Sequence, residues 1–169
     1  MPNVQVELDK LKGKHLFTKF DVCAGYNNIL MDPEDAHKAA FKTPLGTYVP
    51  KVMPFRLSGA PSVFQRAMYR DLRLVLLKYP ENVANLMDDW AIGTPDSPEG
   101  LVLHREIIHF ILDLFELHSY FLKPSKCKFE QDNIDFLGFQ IRAGTACIDP
   151  IKIDGIHHWP EDLKNKKEI

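Results

Sequence analysis

Cysteine is scarce in this sequence: Cys23, Cys127 and Cys147 are the only three, an odd number without CxxC-type spacing. Neither a disulfide framework nor a cysteine zinc site is expected from them. Long apolar runs are missing as well. No stretch of 18 apolar residues occurs, and the first twenty residues carry no charged-then-apolar leader, so neither a membrane span nor a secretory signal is visible and a soluble, intracellular protein is the expectation. The seven histidines contain no pair three or four apart; His104 and His109 are five apart and His157 and His158 are adjacent. Ligand pairs on one helix face need the shorter spacings, so surface or packing roles suit these histidines better. An excess of positive charge is also lacking: 21 Lys and Arg stand against 23 Asp and Glu. That balance weighs against strong unaided binding to phosphates. Basic clusters do exist at Lys10, Lys12, Lys14 and Lys19, at Arg66, Arg70 and Arg73, and at Lys123, Lys126 and Lys128, although ordinary solvated faces would produce the same pattern.

What is present is globular: 169 residues, 45% hydrophobic and 26% charged, enough for one core or a small pair of subdomains. Val4, Leu8 and Leu11 at helical spacing, with Gly13 after them, predict a short opening helix. Phe17 to Val22 reads as a strand and Asn28 to Met31 as a second. Ala39 to Thr43 and Thr47 to Val52 flank Pro44-Leu45-Gly46 as a hairpin. Ser58 is a candidate N-cap for a helix to about Leu77 that buries Phe64, Met68, Leu72 and Val75. Glu99 to His118 predicts a second long helix with Leu101, Ile108, Ile111, Leu112 and Phe115 inward. Ile134 to Ile141 and Ala146 to Ile148 form a last hairpin through Ala143-Gly144; Ile151 to His158 begins another helix that Pro160 and the polar tail 161–169 stop. Two helices on an antiparallel sheet of at least three strands give an α+β fold.

The chemistry-bearing stretch is Val83 to Gly93, VANLMDDWAIG, where Asp88 and Asp89 stand side by side between apolar residues. Such a pair is either a solvent-exposed turn or a hairpin tip that holds a cation. A third carboxylate, Asp21, ends the apolar segment HLFTKFDV. Strands ending in these acids could lie side by side and assemble a two-metal phosphoryl-transfer site.

Five ordered motifs carry a more specific signal: FTKFDVCAGYNNI, AAFKTPLGTYVPKVMPFRLSGAPSVFQRAM, LMDDWAIGT, LKPSKCKF and IDFLGFQI. In that order, from about Leu8 to Trp159, they resemble the reverse transcriptase of Gypsy-like LTR retrotransposons. The resemblance implies a polymerase palm (about residues 14–27 and 58–150) with partial fingers (about 28–57), within a fragment spanning 1–160. It implies RNA-directed DNA polymerase activity, with Asp21, Asp88 and Asp89 holding two Mg²⁺ ions, Mn²⁺ being possible. Lys126 matches the basic loop at the pyrophosphate, and Tyr26 the aromatic gate against a ribose 2′-OH, a core aromatic being the alternative. Phe55, Arg56 and Gln65 fall in the nucleotide-binding motif, and Phe136-Leu137-Gly138 in the primer grip. The implied partners are a template-primer duplex and dNTP, with thumb, RNase H and integrase domains elsewhere in a polyprotein. The implied compartment is cytoplasmic, in a virus-like particle, or nuclear.

Three departures favour the alternative of an inactive or domesticated remnant acting as a binding module. Leu86 stands where the family carries Tyr or Phe, Arg56 replaces a glycine, and the fingers cations and thumb are not in the sequence. A two-metal nuclease is a third reading, without any His-rich or further acidic motif behind it.

Overall fold

The computed structural model describes residues 2–55, 57–142 and 145–148. Arg56, the Ala143-Gly144 link, the helix expected over Ile151 to His158 and the tail lie outside the described residues. Helix α1 (Val4–Leu11) is capped by Asn3, whose side-chain oxygen accepts from the Gln5 N–H, and Gly13 beyond it takes a left-handed φ of 74°. Strand β1 (Leu16–Cys23) follows. The expected strand over Asn28 to Met31 is instead a 3₁₀ turn at Gly25–Asn28, after which only Leu30 bridges, to Val52. Ala24, left-handed at φ 49°, turns the chain sharply out of β1. The hairpin of β2 (Phe41–Thr43) and β3 (Gly46–Tyr48) is as expected but shorter.

The helix expected up to Leu77 is two: α2 (Ala60–Asp71) and α3 (Arg73–Lys78), broken at Leu72. Ser58 does not cap it; Gly59 holds that position with no side-chain cap bond. Then come β4 (Val83–Leu86), β5 (Asp89–Thr94) and α4 (Pro98–Leu117), which Ser97 caps by accepting from the Gly100 N–H. Strands β6 (Phe121–Leu122), β7 (Lys128–Gln131), β8 (Asn133–Phe136), β9 (Phe139–Arg142) and β10 (Thr145–Ile148) complete the described chain. The run Ile134 to Ile141 is thus itself a hairpin. Leu137 at φ 52° and Gly138 at φ 79° form its two-residue loop, the double positive φ of a type I′ turn.

All strand pairs of the central sheet are antiparallel, in the order β4-β5-β1, with the far edge of β1 shared by β6 and β7. Alternation along β1 sends Phe20 and Val22 to one face and Phe17, Lys19 and Asp21 to the other. On the first face Phe20, Trp90 and Ile92 pack with Phe64, Met68 and Leu72 and with Ile107, Ile111 and Phe115 of α4. Against the second face, Phe17 and Ala91 meet Leu8 and Leu11 of α1 and Ile134, Phe136 and Ile141 of the β8–β9 hairpin. The α+β layering expected from the sequence is present, and the sheet is covered on both faces rather than one.

The turn after β1 is packed tightly. A Cβ built on Gly25 would meet the Phe64 ring at 2.4 Å, far inside van der Waals contact. Gly25→Ala is therefore expected to cost about 1–3 kcal/mol by overpacking, read by urea unfolding. A loss below about 0.5 kcal/mol would mean that Phe64 moves aside freely.

Candidate active site

The β1–β5 ladder brings the acidic segments together. Asp21 is the direct partner of Asp89 at its last rung, and Leu86 pairs with Asp89 across the β4–β5 hairpin, leaving Met87 and Asp88 as a two-residue loop. Met87 has φ 57°, the positive φ at the first loop position that type II′ hairpins use. The Val22 N–H donates to the Asp88 carbonyl at 3.2 Å, so the loop is bonded to the end of β1. Asp21 and Asp88 line one cleft of about 220 Å³, together with Gly25, Tyr26, Phe55, Lys123 and Lys126.

The cleft carries two carboxylates, Asp21 and Asp88, and two ammonium groups, Lys123 and Lys126. Partial desolvation at the cleft raises the pKa of the Asp88 carboxyl, although the residue as a whole is exposed, and the negative charges of Asp89 and Asp21 add to the rise. Lys126 donates to Asp21 at 3.1 Å, and that bond and charge raise the pKa of its ammonium. Asp89 is engaged elsewhere: Lys19 reaches it at 3.0 Å and also donates to the Asp135 carbonyl at 3.1 Å. Among the described residues no three acidic, histidine or cysteine groups are set close enough to hold a metal ion together. In donor chemistry Asp21 and Asp88, two carboxylate residues that line one cleft, suit a hard divalent cation. Asp89, expected beside them, is on the ladder opposite Asp21 but ion-paired to Lys19.

Residues 2–141 match the family described as Reverse transcriptase (RNA-dependent DNA polymerase). The chain belongs to this family. It is 30% identical over 169 residues to the enzymatic polyprotein of figwort mosaic virus (strain DxS), covering 100% of this chain and 24% of that polyprotein. To the transposon Tf2-3 polyprotein of Schizosaccharomyces pombe it is 30% identical over 172 residues, 12% of that polyprotein. The chain therefore spans a quarter or less of these curated relatives. Among solved structures, the foamy viral protease-reverse transcriptase in complex with RNA/DNA hybrid matches 98% of this chain and 21% of that chain, with TM-score 0.79 and 18% identity. The same protein with dsDNA matches 99% and 33%, with TM-score 0.81 and 17% identity. The fold is that of the reverse transcriptase palm, and no helix among the described residues is long and apolar enough to cross a membrane.

The remaining motif residues of this reverse transcriptase chain are placed unevenly. Tyr26 stacks on the core ring of Phe64, centroids 4.9 Å apart, and its other neighbour is the exposed Phe55 at 5.3 Å. It packs against the core and also lines the cleft. Burial, and then the charge of Asp88, raise its phenol pKa. Gln65 is a correction: expected at the nucleotide, it is only 4% exposed, and its amide is spent inside the chain. It donates to Asn85 Oδ1 at 2.7 Å and accepts from the Met87 N–H. Phe136 is a second correction, being fully buried in the α1 core because alternation along β8 turns it inward; only Leu137 and Gly138 form the turn. Sequence reasoning missed Lys19 as a partner of Asp89. Its position two residues before Asp21 was the available signal, since i and i+2 share a strand face.

Proposed function

We propose that the chain is the palm, residues 14–27 and 58–150, and part of the fingers, 28–57, of an RNA-directed DNA polymerase carried in a retroelement polyprotein of the Gypsy-like LTR type. Its reaction is addition of a dNTP to a primer 3′ end on a template strand. The observation that supports this best is the cleft shared by Asp21, Asp88, Tyr26 and Lys126 at the end of the β1–β5 ladder.

Asp21 and Asp88 are the residues that would hold Mg²⁺ or Mn²⁺, with Asp89 behind them. When bound, the ions supply a lowered pKa at the primer hydroxyl and charge neutralisation at the leaving pyrophosphate. Lys126, kept charged by Asp21, is the proton source for pyrophosphate. Tyr26 bars a ribose 2′-OH with a ring held in place by Phe64, and the Leu137–Gly138 turn supports the primer backbone. Triphosphate cations, thumb, RNase H and integrase belong to the rest of the polyprotein. The compartment follows the element, a virus-like particle in the cytoplasm or the nucleus.

A binding remnant without polymerase activity is the second reading. It is favoured by Leu86 beside the acids and by the lysines already seated on Asp21 and Asp89. Primer extension on an RNA template separates the two, using this chain and a version extended at both ends into the polyprotein. The extended protein is expected to extend the primer with Mg²⁺ or Mn²⁺ and this chain alone to do so poorly. An inactive extended protein with both metals would leave the remnant reading standing.

A further inference from the structure

Beneath the Asp88 loop lies a set of buried polar side chains that the reaction does not use. Gln65 accepts from the Met87 N–H and donates to Asn85 Oδ1. Asn85 donates from Nδ2 to the Met87 carbonyl at 3.0 Å and lies near the Asp89 carbonyl at 3.4 Å. Glu7, on α1 and only 3% exposed, accepts from the Asn85 N–H at 2.9 Å and from Lys10 at 2.8 Å. Among the described residues strand β4 pairs only with β5, so this outward N–H has no ladder partner there and Glu7 supplies one. Both backbone groups of Met87 are therefore held by side chains from other positions. Met87 is also one of the non-glycine residues that bear an unfavourable positive φ, a conformation that persists only where its surroundings over-determine it.

We propose that Gln65 and Asn85, braced by Glu7, are positioning residues that hold Met87 left-handed and thereby fix where Asp88 stands relative to Asp21. None of the three touches a reacting atom. The link to catalysis rests on the proposed polymerase reading, whereas the hold on the loop does not. Gln65→Met removes both amide partners at nearly the same volume; Gln65→Glu retains an acceptor for Met87.

The test is amide hydrogen exchange on this chain, followed by Mn²⁺ titration read as paramagnetic broadening of the Asp21 and Asp88 amides. In Gln65→Met the Met87 amide is expected to exchange at least about tenfold faster while Phe20 and Trp90, in the ladder behind it, keep their protection. Gln65→Glu should keep Met87 within about threefold of wild type. The Mn²⁺ midpoint should rise at least about threefold in Gln65→Met and recover in Gln65→Glu. Unchanged Met87 exchange in Gln65→Met, or equal loss of protection at Met87, Phe20 and Trp90, overturns the proposal. A Mn²⁺ midpoint unmoved in Gln65→Met while Met87 exchange accelerates overturns its link to Asp88. Wild-type chain that shows no broadening at Asp21 or Asp88, with Met87 exchange behaving as expected, sinks the polymerase reading and supports the hold on the loop.

Discussion

Asp88→Asn, in the version extended at both ends, is expected to lower kcat by about 10³-fold or more, corresponding to roughly 4 kcal/mol of transition-state stabilisation. The amide has the volume of the carboxylate but neither its charge nor its affinity for a hard cation. Asp88 shares its cleft with Asp21, and its pKa is raised by partial desolvation there and by two neighbouring negative charges. Removing one of three like charges relieves repulsion in the metal-free protein. The variant should therefore melt at the same temperature as wild type or higher, which separates lost chemistry from lost folding. Single-turnover extension with saturating dNTP gives the first number and thermal unfolding the second. Activity within tenfold of wild type would remove Asp88 from the chemistry, and a lower melting temperature would mean that its carboxylate has a structural role.

Acid should weaken the fold through His104. This residue is fully buried between Thr18 and Thr94, its Nε2 paired with the Thr18 hydroxyl at 2.8 Å and its Nδ1 with that of Thr94 at 2.9 Å. A neutral imidazole meets both hydroxyls with one N–H and one lone pair. Burial pushes its pKa from 6.5 down to about 4; Glu130 opposes that fall and Arg105 adds to it. Because the folded pKa lies below the unfolded one, the unfolded chain takes up the proton first as pH falls. The contribution of neutral His104 is complete above pH 6.5 and is lost progressively toward pH 4, in all roughly 3 kcal/mol. Urea unfolding of wild type and His104→Gln across that window isolates the effect, since the carboxylates contribute to both. Wild type should lose more stability than the variant by about that amount. Parallel curves would mean that His104 takes up its proton at the same pH in the folded and the unfolded chain.

The site was legible in the sequence to the extent that it depends on local pattern. Asp21 ends an apolar run, Asp88 and Asp89 interrupt another, and strands ending in acids invite pairing; the β1–β5 register puts Asp21 opposite Asp89. Helices α1 and α4 were readable from spacing because each buries one stripe. The segment after β1 was not, since whether Tyr26 to Met31 extends or coils depends on Phe64, almost forty residues later, packing into the space a Cβ on Gly25 would need. The folding of Ile134 to Ile141 into a hairpin was hidden for a different reason. Leu-Gly in the middle of an apolar run looks like continuing strand until both residues adopt positive φ.

The sequence by itself determined the α+β class, the helical spacing of α1 and α4, the acids and the order of the motifs, because each is carried by periodicity or by residue type over a few positions. Only the tertiary structure decided which partner each polar group takes. Gln65 sits on α2 at a position whose motif points to the nucleotide, yet its amide bonds to Asn85 and Met87, twenty and twenty-two residues away. Asp89 adjoins Asp88 in the chain and nonetheless pairs with Lys19 across the ladder. A side chain's chemistry is local, but its hydrogen-bond and ion-pair partners lie wherever packing and register bring a donor within about 3 Å, and neither packing nor register is written in spacing along the chain.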